Sequence, residues 1–233
     1  VEDNGTAVGA ALTASNILIG KRKTETVTDY YGKKYKNDEI LNAIKKFSFA
    51  YEFVEENKIY EKVASLIFNN KVVGWFQGRS EFGPRALGNR SILANPSDPK
   101  VKYVLDLHFK YRDRYRPYAP VVLEEYAKKY FDIIGISPVM MTGGKVLNKN
   151  FPAIIHADGS ARIQTLKKKE NEIFYNLIQA FNKISGHPII LNTSFNLPGE
   201  PIVESPTDAL NSFNNGALEY LCLGNYLVSR ESR

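Results

Sequence analysis

A single cysteine, Cys222, excludes an internal disulfide framework. The first residues lack the basic and apolar regions of a signal peptide, so a reducing cytoplasm is the expected compartment. No apolar run approaches the ~20 residues needed to span a bilayer, and no membrane partner is expected. In that setting the sequons at Asn4, Asn89 and Asn192 carry little weight as glycosylation sites. The three histidines form no H-x-x-x-H pattern, and C-x-x-C and paired-carboxylate patterns are missing. A protein-built zinc site is therefore not expected. P-loop and dinucleotide fingerprints are absent too, so any nucleotide must be held by another arrangement. The chain starts at Val1 and not at Met, which points to a fragment or a processed chain.

What is present is apolar material for a sizeable core, 43% of 233 residues, and a net charge of +6. That charge favours anionic partners but leaves nucleic acid, nucleotide and small phosphate ester equally open. The Lys167, Lys168 and Lys169 run lies beside Glu170 and Glu172 and reads as a solvated turn or helix start.

Hydrophobic periodicity gives an α/β chain. An Ala/Gly-rich stretch over residues 5–18 gives way to polar residues 21–28, placing a boundary at residues 20–29. Asn37, Asp38 and Glu39 open an amphipathic helix carrying Ile40, Leu41, Ile44 and Phe47. A second helix with Ile59, Val63, Leu66 and Ile67 on one face ends near Asn69, and residues 71–77 follow as strand. Further along, residues 101–110 and 124–131 read as helices and residues 121–123 as strand, while Pro117 and Pro120 hold the chain extended. Residues 153–156 and 162–165 read as a hairpin joined through Asp158 and Gly159. The clearest helix spans residues 172–184 and ends at Gly186. A buried strand, residues 187–191, then delivers Asn192 to Asn196. Ser205 to Asp208 form a capping box with proline in the first turn, and residues 220–228 close the chain as strand. The mixed order predicts a sheet with some antiparallel members.

The densest chemistry lies in residues 77–91, where Arg79, Arg85 and Arg90 sit among Gly78, Gly83, Pro84 and Gly88. Glycine lets backbone N–H groups approach an oxyanion, and guanidinium offers a planar fork of donors to phosphate or carboxylate. Three more polar clusters stand where apolar strands end or turn. They are Lys110, Arg112 and Arg116, then His156, Asp158 and Arg162, then Asn192, Ser194 and Asn196. Polar groups at strand ends of one sheet can converge on a common ligand. Of the histidines only His156, two residues before Asp158, has a partner suited to general-base work.

Residues 72–94, V-V-G-W-F-Q-G-R-S-E-F-G-P-R-A-L-G-N-R-S-I-L-A, resemble the hallmark of the C-terminal domain of the O-carbamoyltransferases, which modify nodulation factors and antibiotics. The resemblance continues in residues 116–120 (R-P-Y-A-P), 156–165 (H-A-D-G-S-A-R-I-Q-T) and 191–203, covering roughly residues 71–230. Residues 3–12 are similar to the last helix of the family's N-terminal domain, which has the actin-like ATPase fold. Residues 1–28 would then be a remnant of that domain and its linker, and residues 29–233 the C-terminal domain.

The resemblance implies a YrdC-like twisted mixed β-sheet flanked by helices, with a concave basic surface. It implies formation of carbamoyl-adenylate from carbamoyl phosphate and ATP, with Mg²⁺ carried by ATP, for transfer to an acceptor hydroxyl by the N-terminal domain. Arg85 and Lys110 would grip carbamoyl phosphate, with Arg79, Arg112 and Arg116 shaping the potential. Arg162 would face the nucleotide phosphates, Asn192, Ser194 and Asn196 would hydrogen-bond ATP or the reacting group, and His156 and Asp158 would orient neighbours. Arg85, Lys110, Arg162 and Ser194 would form the catalytic set. Tyr118, Asp113, Ala157 and Ser160 stand where Phe, Glu, Val and Thr are usual, and none removes a proposed ligand. The alternative is a non-catalytic nucleotide- or RNA-binding module. The acceptor is not readable from this sequence, and a homo-oligomer is compatible with it.

Overall fold

The computed structural model describes residues 5–20, 29–113 and 115–230. In chain order it contains α1 (Gly5–Ile19), α2 (Asn37–Ile44), β1 (Ala50–Phe53), α3 (Glu56–Phe68), β2 (Val73–Phe76), β3 (Arg90–Ala94) and α4 (Val101–Leu105). There follow β4 (Ala119–Leu123), α5 (Ala127–Tyr130), β5 (Phe131–Asp132), β6 (Thr142–Val146) and β7 (Ser160–Leu166). The chain ends with α6 (Glu172–Ser185), β8 (Ile189–Ser194), α7 (Pro206–Asn215), β9 (Tyr220–Leu223) and β10 (Tyr226–Ser229).

The ten strands form one sheet in the order β1-β10-β9-β2-β3-β8-β4-β7-β6-β5. The pairs β2/β9 and β4/β7 are parallel and the other pairings antiparallel. The central strands β2, β3 and β4 are buried on both faces, which is why β2 and β4 read as apolar runs without alternation. On one face of β2, Val73 and Trp75 join a core layer with Val63 and Ile67 of α3 and with Leu177 and Phe181 of α6. Phe76 belongs to the opposite layer, with Ile40 and Ile44 of α2 and Leu210 and Phe213 of α7. The same alternation divides β8, with Ile190 on the α3/α6 side and Ile189 and Leu191 on the other. The result is a mixed sheet between two helical layers, as expected.

Several local expectations hold for the stated reasons. The Asn171 side chain caps α6 by accepting from Phe174 N at 3.0 Å, and Gly186 ends the helix at φ 75°. Ser205 and Asp208 exchange side-chain-to-backbone hydrogen bonds of 3.1 and 2.8 Å at the start of α7.

Other expectations are corrected. Residues 153–156 are not a strand: Pro152 opens a 3₁₀ turn, Pro152–Ile154, and the antiparallel partner of β7 is β6. The sequence T-G-G-K-V hides β6, because glycine weakens the strand signal. Gly144 is required there, since a Cβ would lie 2.4 Å from Asp132 O. Residues 220–228 are two strands of a hairpin, turned at Gly224 with φ 55°. Residues 124–131 split into a 3₁₀ turn, Glu124–Tyr126, then α5, then β5. The helix over residues 101–110 is α-helical only to Leu105 and continues as a π-helical turn, Asp106–Lys110. Periodicity does not foresee β1 or β3, the latter lying inside the glycine- and arginine-rich segment.

α1 is helical and has no buried residue, while residues 21–28, on which the expected boundary falls, lie outside the described residues. Among the described residues no helix is long and apolar enough to cross a membrane, and no group of three His, Cys, Asp or Glu side chains could hold a metal ion.

Candidate anion-binding site

Strand register gathers the polar clusters toward one end of the sheet. Phe76 at the end of β2 pairs with Arg90 at the start of β3, and Ser91 pairs with Ser194 at the end of β8. Asn192 pairs with Ala119 at the start of β4, and Val121 pairs with Gln164, which puts Arg162 near the same end of β7.

The loop between β2 and β3 is built around its own carboxylate. Glu81 Oε1 accepts from the backbone N–H groups of Leu87 at 2.7 Å, Asn89 at 2.8 Å and Arg90 at 3.3 Å. Burial pushes the Glu81 carboxyl up from its ordinary range, against the pull of these N–H groups and of Arg90. Around this centre the loop's carbonyls are held from outside. Leu87 O accepts from Tyr30 and Gln164, Gly88 O from Trp75 and Ala86 O from Asn192, while within the loop Arg79 O accepts from Asn89. Gly88, at φ 109°, cannot be replaced, because a Cβ would lie 2.0 Å from Phe174 Cδ1.

The three arginines of the segment have different places. Arg90 is 0% exposed, lies 3.6 Å from the Phe76 ring centroid, and donates to Gln77 O and Asn89 O at 2.7 and 2.9 Å. Burial lowers its pKa to about 10, against the pull of Glu81 and Glu204. It is a brace inside the fold. Arg79 is exposed and donates to Gly32 O at 2.9 Å, tying the loop to residues 32–34. Arg85 is half-buried in the same loop.

Lys110, the last residue of the π-helical turn, reaches across to the end of β8. Its Nζ donates to Ser194 O at 2.6 Å and lies 3.3 Å from Ser194 Oγ, 3.1 Å from Asn196 O and 3.0 Å from Asn196 Oδ1. All four acceptors are neutral oxygens. Burial, and after it the Arg112 guanidinium, pull the ammonium down to about 7. Ser194 Oγ donates to Asn196 Oδ1 at 2.7 Å, and Asn196 Nδ2 donates to Glu200 O at 2.9 Å. These side chains form one connected corner.

Ser194 and Asn196 line a cleft of about 490 Å³ with Ser80, Glu81, Gly83, Pro84 and residues 200–204. The cleft therefore joins the β2/β3 loop to the end of β8. Arg112 and Arg116 do not share it and line a separate hollow of about 380 Å³. Arg112 stacks 4.3 Å from the Tyr118 ring centroid and lies 3.4 Å from Asp106, which also accepts from Tyr118 Oη at 2.7 Å. Asn192 is 1% exposed and donates to Ala86 O and Gln164 Oε1, so its place is inside the support of the loop.

His156, Ser160 and Asp158 form a chain. Ser160 Oγ donates to Asp158 Oδ1 at 2.7 Å, so it accepts from His156 Nδ1–H at 3.0 Å, and Nε2 keeps its lone pair. Burial lowers the His156 pKa below 6.5, against the pull of Asp158. Arg162 lies nearby on β7, opposite Gly143. Glu81, Gln164 and Asp106 are not among the residues singled out from sequence. Glu81 and Gln164 stand within quoted motifs, but their partners are 6 to 9 and 28 to 77 residues away, which sequence spacing does not display.

Residues 64–230 match the family described as the carbamoyltransferase C-terminus. The chain belongs to that family. The nodulation protein NolO of Bradyrhizobium diazoefficiens is 40% identical over 98% of this chain and 43% of its own length. An uncharacterised Synechocystis protein, sll1178, is 35% identical over 99% of this chain and 42% of its own. The chain thus spans less than half the length of these relatives. Among solved structures, full-length HypF in its phosphate- and nucleotide-bound form superposes with a TM-score of 0.51 at 19% identity, covering 75% of this chain and 26% of HypF. That likeness establishes the shared fold. The carbamoyltransferase match takes in the β2/β3 loop, Lys110, the His156 turn and the end of β8.

Proposed function

We propose that this carbamoyltransferase domain makes carbamoyl-adenylate from carbamoyl phosphate and ATP, for transfer to an acceptor hydroxyl by an N-terminal domain of the longer protein. Water takes the phosphoryl group of carbamoyl phosphate, releasing carbamate and phosphate. A carbamate oxygen then attacks the α-phosphorus of ATP, and the bond to the β-phosphate breaks as pyrophosphate leaves. Both substrates are polyanions, so the protein's work is to hold them together and neutralise charge. Mg²⁺ would arrive with ATP.

The observation that carries this reading is the Lys110 corner. A cation held by neutral oxygens beside a cleft gains a true counter-ion when a phosphate enters. Arg85 on the facing loop would be its partner on carbamoyl phosphate, with Arg79, Arg112 and Arg116 contributing field. Arg162 would meet the nucleotide phosphates, with Ser194 and Asn196 bonding the reacting group and His156 and Asp158 orienting it. Asn192 would act from behind, through the loop carbonyl it holds.

ATP–pyrophosphate exchange dependent on carbamoyl phosphate tests the proposal. Exchange by this chain, lost in Arg85→Ala and Lys110→Ala variants that remain folded, is expected. Undiminished exchange in either variant removes that residue's assignment, and no exchange by the wild-type chain with both substrates bound rejects the adenylation reading.

A further inference from the structure

The loop between β2 and β3 already holds a carboxyl group of its own. Glu81 Oε1 lies against three backbone N–H groups, and Oε2 is buried with no hydrogen-bond partner among the described residues. Converging N–H groups of this kind form an anion nest. Here the nest is pre-set from outside, because Trp75, Gln164, Tyr30 and Asn192 draw the carbonyls of Ala86, Leu87 and Gly88 away from it.

We propose that Glu81 is the resident anion of this nest and a positioning residue for substrate. Filling the N–H groups fixes residues 83–88, and a substrate phosphate must then be met by side-chain cations, Arg85 and Lys110, and not by the loop's backbone. Without the carboxylate, the Leu87, Asn89 and Arg90 N–H groups would be left unsatisfied in a buried site, and the loop would rearrange. Only the kinetic part of the test rests on the function proposed above.

The test compares Glu81→Ala and Glu81→Gln with wild type, with sodium formate as the probe and sodium chloride at equal ionic strength as control. The Ala variant should melt at lower temperature, and formate should restore several degrees while leaving wild type unmoved. Its KM for carbamoyl phosphate should rise at least tenfold with kcat within threefold, and formate should reverse the rise. The Gln variant keeps an acceptor oxygen and should hold KM within threefold. No response of Glu81→Ala to formate, or an equal KM rise in Glu81→Gln, overturns the proposal. If Glu81→Ala is insoluble, refolding in formate replaces the melt, recovery supporting the proposal and failure rejecting it. Absence of exchange by wild type would reject the functional reading, leaving the formate response to decide Glu81.

Discussion

Two regions at one end of the sheet each enclose a charge among neutral dipoles, with opposite sign and different reach. Glu81 sits among N–H groups six to nine residues away in its own loop. Lys110 sits among oxygens 84 and 86 residues away, beside a cleft. In the first arrangement Glu81 borders the cleft, but its Oε1 partners all come from one short segment, residues 87–90, whose carbonyls are pinned from behind. The second is a meeting of distant elements, and its occupant can exchange neutral oxygens for a phosphate. On the proposed reading, a buried charge signals support in one region and a ligand site in the other.

Lys110→Met should separate the two most sharply. Carbamoyl phosphate-dependent exchange should fall about a thousandfold, roughly 4 kcal/mol. The melting temperature should stay within a few degrees, because removing a buried ammonium offsets its lost hydrogen bonds. A large stability loss with residual exchange would make Lys110 another brace and erase the contrast.

Arg90→Met should do the reverse. Its guanidinium serves carbonyl oxygens and the Phe76 face in the protein interior, so its loss should destabilise by about 3 kcal/mol in denaturant unfolding. Asn192→Leu, which removes the donor to Ala86 O and Gln164 Oε1, should cost about 2 kcal/mol by the same measurement. Either variant matching wild-type stability would show that the loop is less dependent on its backing than its hydrogen bonds imply.

Much of the fold was legible because local signals and burial agree. The apolar face of α6, Gly186 after it and the Ser205 capping box need no distant information. β3 and β6 were obscured, since one lies in a segment rich in Arg and Gly and the other carries adjacent glycines, Gly143 and Gly144. In the site, the residue types of the clusters were legible but not their division of labour. Arg90 and Arg85 are alike in sequence, yet only packing against Phe76 makes one a brace. Asn192 and Ser194 are two residues apart on β8, and the difference lies in where the strand ends: Asn192 is enclosed between β3 and β4, while Ser194 has reached the cleft.

The smallest expected effect is a pH dependence with two opposed limbs. Lys110 has an ordinary pKa of 10.5 and is drawn down to about 7 in the fold. Between those values the unfolded chain binds the extra proton, so the Lys110 contribution to stability rises with pH across that window. Anion binding needs the protonated form, so KM for carbamoyl phosphate should rise with pH above about 7, by up to about tenfold per unit. His156, held below 6.5, titrates on the acid side and does not mimic this. Measuring KM and melting temperature between about pH 6.5 and 8.5, a range that brackets the folded-state titration, should show both rising in wild type and neither limb in Lys110→Met. A KM that is flat with pH in wild type would mean that Lys110 keeps its proton throughout, and that its neutral cage stabilises charge as fully as the Glu81 nest does.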